Sequence, residues 1–202
     1  MVILQPKLNK NNIVIYRSLY LKKEVKIKMK IFTNKQQLLC DTFTPISTFL
    51  SLRDNFANVS LFESSDYTTK SNSHSFIGVN PIITIQQKKE FAQLRINGKL
   101  EEKVRVSSEE ELDRLRLKFD FVNNDNAHQN GFFGVIAYNA LQLFEDIELK
   151  NNDEELPDVF LAVYEFVLVF DHFHNQLTLL HNTFDSHSNK LAVMIKALNK
   201  EV

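Results

Sequence analysis

Glycine is unusually scarce in this chain. There are four among 202 residues, about 2%, where roughly 7% is usual. From Gly78, Gly98, Gly131 and Gly134 neither G-x-G-x-x-G, G-x-x-x-x-G-K-[ST] nor G-x-S-x-G can be written. Dinucleotide fingerprints, phosphate loops and nucleophile elbows are thereby excluded in their usual form. Cysteine is scarcer still. Cys40 stands alone, so neither an internal disulfide nor a thiolate cluster for zinc or iron–sulfur can form.

Long apolar runs are missing as well. Residues 131–144 carry no charge, but the stretch is too short for a membrane span and holds Asn139 and Gln142. A spanning helix needs about 20 mostly apolar residues. The chain therefore reads as soluble, cytoplasmic and free of membrane contact.

Charge is present but unevenly placed. Residues 1–30 carry a net +7 and the remainder −8, for an overall −1. A basic arm on an acidic body can mark nucleic-acid contact, but the body offers no pattern of stacking aromatics, so no nucleic acid is expected. Residues 1–28 instead read as an extension outside the folded unit, either disordered or mistranslated from a start upstream of Met29. The domain proper is expected over 29–202.

Alternation of Val25, Ile27, Met29 and Ile31 with lysines suggests a strand over 25–31. Clear order is expected from Thr44-Pro45, an N-cap followed by proline at the first helical position. That helix places Ile46, Phe49, Leu50 and Arg53 at helical spacing. Strands follow at 59–63, 74–79 and 82–87, the last two separated by a turn at Asn80-Pro81. Asn97-Gly98 joins 91–96 to 99–106 as a hairpin. Ser108 and Glu111 form a capping box for a helix with Leu112, Leu115 and Phe119 inward. A polar loop covers 123–130. Strands at 132–138 and 159–170 are apolar on both faces and expect cover on both. Asn175 turns the second into 176–181, and an amphipathic helix closes the chain over 186–200.

Composition alone yields little chemistry. His172 and His174, two apart, would share a face on a strand, with Asp171 pointing the other way. A catalytic zinc site needs three protein ligands, so a strand end is the plainer reading. No Ser–His–Asp grouping can be chosen from separation alone. The best ligand candidate is Glu63-Ser64-Ser65-Asp66, where a carboxylate and a hydroxyl after a strand can hold an ammonium group.

Five stretches come in a familiar order. They are Thr44-Pro45-Ile46-Ser47, Leu61-Phe62-Glu63-Ser64-Ser65-Asp66-Tyr67, Ser75-Phe76-Ile77-Gly78-Val79-Asn80-Pro81, Gly131-Phe132-Phe133-Gly134 through Tyr138, and Pro157-Asp158 leading to Val169-Phe170-Asp171-His172. This series resembles the N-terminal portion of anthranilate synthase component I, over roughly 29–202. The resemblance implies an α+β fold: mostly antiparallel sheets of a layered β-sandwich with flanking helices, incomplete without a C-terminal chorismate-binding portion.

The family converts chorismate to anthranilate in tryptophan biosynthesis, with Mg²⁺ and with ammonia from a glutamine amidotransferase subunit. The resemblance assigns the catalytic and metal-binding residues to the C-terminal portion, leaving no catalytic residue, metal ligand or cofactor in this chain. It assigns part of a feedback site for L-tryptophan to Leu61, Phe62, Glu63 and Ser64. Phe62 stands where leucine is usual and crowds that wall. Val135 and Asn139 replace a usual tyrosine and aspartate. Two other readings follow: a free-standing module that binds tryptophan or pairs in trans with a catalytic chain, and the N-terminal portion of an aminodeoxychorismate or isochorismate synthase.

Overall fold

The computed structural model describes residues 28–41, 43–63, 73–122, 129–145, 147 and 156–199. Of the basic extension expected over 1–28, residues 1–27 lie outside the described residues.

Among the described residues, nine strands and three short α-helices make an α+β fold. The strands are β1 (Met29–Leu39), β2 (Val59–Glu63), β3 (His74–Lys88), β4 (Phe91–Ile96), β5 (Lys99–Arg105), β6 (Phe119–Val122), β7 (Phe133–Ile136), β8 (Val159–Asp171) and β9 (Gln176–Thr183). The helices are α1 (Pro45–Asn55), α2 (Glu109–Arg116) and α3 (Leu191–Leu198), with a 3-10 helix at Tyr138–Leu143.

The strands form one hydrogen-bonded sheet in the order β5-β4-β3-β8-β9-β1-β6, with β2 beside β3 and β7 beside β8. Every pairing is antiparallel except β1 with β6. The long β3–β8 pair runs from His74↔Asp171 to Gln87↔Val159 and carries every other strand. The described strands join in one hydrogen-bonded sheet, with β2 and β7 branching from its central pair.

Local signals explain the elements that stand where expected. Thr44 Oγ1 accepts the Ser47 N–H at 3.1 Å, and Ser47 Oγ accepts the Thr44 N–H at 3.3 Å, which closes the first turn of α1. Asn97 (φ 49°) and Gly98 (φ 78°) supply the left-handed pair that a tight hairpin demands. Asn175 (φ 51°) does the same before β9.

Other expectations are corrected. A strand stands ahead of Thr44, since β1 pairs with β9 along eight residues. Asn80-Pro81 does not end a strand: an irregularity between Pro81 and Ile83 absorbs the proline and β3 continues. The inward face of α1 carries Thr48 and Leu52, leaving Ile46 and Leu50 exposed. Helix α2 stops at Arg116, so Phe119 is buried from the start of β6 instead. Its N-terminus is held by Glu111, whose carboxylate accepts the Ser107 N–H and hydroxyl. Those bonds hold the Glu111 carboxyl below its ordinary range. Helix α3 starts at Leu191 rather than 186.

Three apolar clusters hold the sheet. The first gathers Ile83, Ile85, Leu94, Leu112, Leu115, Val159 and Leu161 under α2. The second packs Leu52 of α1 and Met194 of α3 onto Ile77, Phe166, Leu168 and Leu179. The third joins Phe76, Phe133, Ala162, Tyr164, Val167 and Val169. Burying one such large side chain contributes about 1.5–3 kcal/mol. The chain covers both faces of β8 by itself, for Val159 and residues 161–164 and 166–170 are all buried. Strand β7 is covered only in part, with Val135 63% exposed.

Candidate site at the β2 strand end

Strand β2 alternates its side chains between two clusters. Leu61 sits opposite Ile77 and packs into the helix-covered cluster, while Phe62 sits opposite Phe76 and packs into the aromatic one. The Phe62 ring lies 5.6 Å from Phe133 and 6.3 Å from Tyr164, and Phe76 lies 5.5 Å from Phe133. These separations and tilts are favourable for aromatic pairs. Glu63, opposite Ser75, is exposed at the strand end. Ser64, with Ser65 and Asp66, lies outside the described residues.

Tyr164 is the hub of the aromatic cluster. Its side chain is buried, and its hydroxyl donates to Ser60 Oγ at 2.8 Å. Burial raises the phenol further above its usual range, so it stays a neutral donor. Its ring lies directly on Gly78. Gly134 allows a second close approach, since a Cβ there would fall 1.8 Å from the Phe160 carbonyl oxygen on β8. Two of the four glycines thus serve packing, and four of the five motif stretches meet in one aromatic nest.

A buried amide network braces it. Asn182 Nδ2 donates to the Tyr164 carbonyl at 2.9 Å and to Asn130 Oδ1 at 3.0 Å. Thr33 Oγ1 and Asn130 Nδ2 both donate to Asn182 Oδ1. Asn130 Oδ1 also accepts the Gly131 N–H, which sets the entry to β7. Asn130 belongs to the expected polar loop, yet it is buried and fully bonded. No spacing signal marks it.

Histidines gather at the same end of the sheet. Ser75, 3% exposed, shares a 2.8 Å hydrogen bond with His172 Nε2. Asp171 Oδ1 accepts the N–H groups of Phe173 and His174, while Oδ2 contacts His174 Nδ1 at 2.8 Å and His74 Nε2 at 3.6 Å. Burial alone would raise the Asp171 carboxyl, but the bonds to His174 and the nearby histidine rings together bring it below its ordinary value. The expectation that His172 and His174 share a strand face is overturned: β8 ends at Asp171, residues 172–175 turn, and the two histidines take different partners. Among the described residues no three His, Cys, Asp or Glu side chains are grouped to hold a metal ion. Nor does a described carboxylate hydrogen-bond to His172, so Ser75–His172 lacks the orienting third member of a triad.

Exposed Glu63 offers a carboxylate beside a rung of hydroxyl and imidazole groups. A hollow of about 520 Å³ lies at the far end of β3 instead, lined by Gln87, Phe91, Val106, Leu143 and Asp158 among others.

A family model described as chorismate binding enzyme matches residues 59–200, from the first residue of β2 to just past α3. The chain belongs to that family. The match falls on the stretch that the resemblance places in the portion without chorismate chemistry; it carries the family and not the division into portions. The chain is 28% identical over 164 residues to anthranilate synthase component 1 of Lactococcus lactis, covering 77% of this chain and 34% of the relative. It is 26% identical over 138 residues to the Aquifex aeolicus protein of the same name, covering 67% and 28%. Against the Methanothermobacter marburgensis protein the identity is 24% over 158 residues, covering 78% and 32%. The chain thus aligns with about a third of the length of the curated relatives it matches. A solved structure, anthranilate synthase component I from Streptococcus pneumoniae, shares 18% identity over 82% of this chain and 35% of that one, with a TM-score of 0.38. No helix among the described residues is long and apolar enough to cross a membrane.

Proposed function

We propose that this chain is the N-terminal, regulatory portion of an anthranilate synthase component I. The observation that carries the reading is the convergence of the 61–63, 75–81 and 131–134 stretches on one aromatic nest beside an exposed carboxylate. In this reading the nest is structural backing, and Glu63 with Ser64 forms part of a wall that receives the ammonium group of L-tryptophan. The full enzyme turns chorismate into anthranilate in the cytoplasm. Its Mg²⁺ and catalytic groups sit in a chorismate-binding portion joined in cis or in trans, and a glutamine amidotransferase subunit supplies ammonia. Combined with that portion, the sheet described above becomes one layer of a β-sandwich.

Two measurements test this. Purified chain given chorismate, Mg²⁺ and ammonium is expected to show no anthranilate fluorescence, and clear turnover overturns the non-catalytic assignment. Titration calorimetry with L-tryptophan is expected to give heat that Ser64→Ala abolishes. Equal binding by both proteins removes Ser64 from the site.

A further inference from the structure

Two of the four glycines follow an asparagine, at Asn97-Gly98 and at Asn130-Gly131. With no Cβ on glycine to block approach, the asparagine side chain lies open to attack by the next backbone nitrogen. The fold treats the two pairs in opposite ways. Asn130 is 8% exposed, and its Nδ2 donates to Asn182 Oδ1 at 2.8 Å and to Thr33 Oγ1 at 3.2 Å. The Gly131 N–H is committed to Asn130 Oδ1. Asn97 and Gly98 instead stand exposed at the tip of the β4–β5 hairpin. The Asn97 side chain has no hydrogen-bond partner among the described residues, and a Cβ at Gly98 would meet nothing within 4 Å. The Asn97 N–H is tied to the Ile82 carbonyl at 2.8 Å, which fixes the β4 side of the turn. On the β5 side only Lys99 and Leu100 pair before the register shifts, and Arg95 Nη1 reaches the Gly98 carbonyl at a long 3.4 Å. Turning the Gly98 nitrogen toward the Asn97 side chain therefore disturbs two rungs of an edge strand. Local openings of that size lie at the low end of the stability range.

We propose that Asn97 is a site of spontaneous deamidation through a cyclic imide, a reaction from which the fold shields Asn130. The Gly98 nitrogen adds to Asn97 Cγ, the Cγ–Nδ2 bond breaks, and Nδ2 leaves as ammonia. The proton lost by the Gly98 nitrogen balances the one that the ammonia takes up. Water then opens the imide at either carbonyl, and nothing is oxidised or reduced. One opening leaves aspartate. The other leaves isoaspartate, in which the chain runs through Cβ and Cγ. Isoaspartate lengthens a turn built on Asn97 at φ 49° and Gly98 at φ 78°, the left-handed pair that a two-residue hairpin requires. At Asn130 the same steps would break both bonds of Nδ2 and admit water to a buried network.

The test incubates the full chain, folded and in urea, in mildly alkaline buffer and follows its proteolytic peptides by mass spectrometry. The folded chain is expected to convert Asn97 at least about tenfold faster than Asn130, a rate ratio worth about 1.4 kcal/mol. In urea the two rates are expected to converge. The converted Asn97 peptide should elute as two forms, aspartate and isoaspartate, because one imide opens both ways. Asn97→Gln, whose longer side chain cannot close the same ring, is expected to abolish the mass gain with an unchanged circular-dichroism melt. Asn182→Ala, which strips a partner from Asn130, is expected to speed conversion there. Equal rates in the folded chain, or a faster Asn130, overturn the proposal. So does a gap that persists in urea, since neighbouring residues rather than the fold would then set it. A single aspartate form overturns the imide route.

Discussion

The ring of Tyr164 rests on the α-carbon of Gly78, so close that a Cβ at Gly78 would fall 2.4 Å from the ring. Tyr164 is buried on β8 and Gly78 on β3, so neither backbone can retreat without breaking the central pairing. Gly78→Ala is expected to destabilise the chain by about 1–3 kcal/mol, the usual cost of overpacking. Urea denaturation checks this, and an unchanged midpoint would show that the ring has room to move.

The amide network gives a second expectation. Asn182→Ala removes the acceptor shared by Thr33 and Asn130 and leaves the Tyr164 carbonyl without that donor. Buried groups left unsatisfied cost about 1–3 kcal/mol each. Asn182→Ala should therefore lose at least about 2 kcal/mol by the same denaturation assay, and Asn130→Ala should add little once Asn182 is gone. Additive losses in the double variant would mean that the two side chains act separately.

Acid should loosen the fold through His181. This side chain is 1% exposed, and its Nδ1 accepts the Lys190 N–H that leads into α3, with Asn34 Nδ2 also at 3.4 Å. That leaves the proton on Nε2, facing Glu165 at 3.9 Å. Burial pushes the imidazole below its ordinary 6.5; Glu165 opposes the shift and Lys190 adds to it. The unfolded chain therefore binds the proton first, and stability falls as pH drops below about 6.5. Thermal melting between pH 7.5 and 5 should show this fall, and His181→Gln should flatten it. Equal slopes in both proteins would remove His181 as the cause.

Much of this was legible where the decisive interactions are local. The Thr44–Ser47 box, the Asn97-Gly98 turn and the continuous apolar strand 159–170 are written in neighbouring residues. Strand β6 was not, because Phe119 continues the spacing of Leu112 and Leu115 while its four residues find order only beside β1. Asn80-Pro81 read as a break because a bulge is a property of two strands, not one. At the candidate site the motif marked Leu61, Phe62 and Glu63. It could not mark Tyr164, Asn130 or Asn182, whose partners lie tens of residues away. Polar residues of that kind resemble loop until the fold encloses them.

The pairing of Phe32 with Thr183 sets a timetable for synthesis. Strand β1 emerges first from the ribosome, yet its antiparallel neighbour β9 is among the last segments made. The parallel neighbour β6 offers only four residues of contact before then. Throughout most of translation β1 must wait as an unpaired strand. A nascent chain of this protein is therefore expected to depend on chaperone cover until about residue 183 has cleared the exit tunnel.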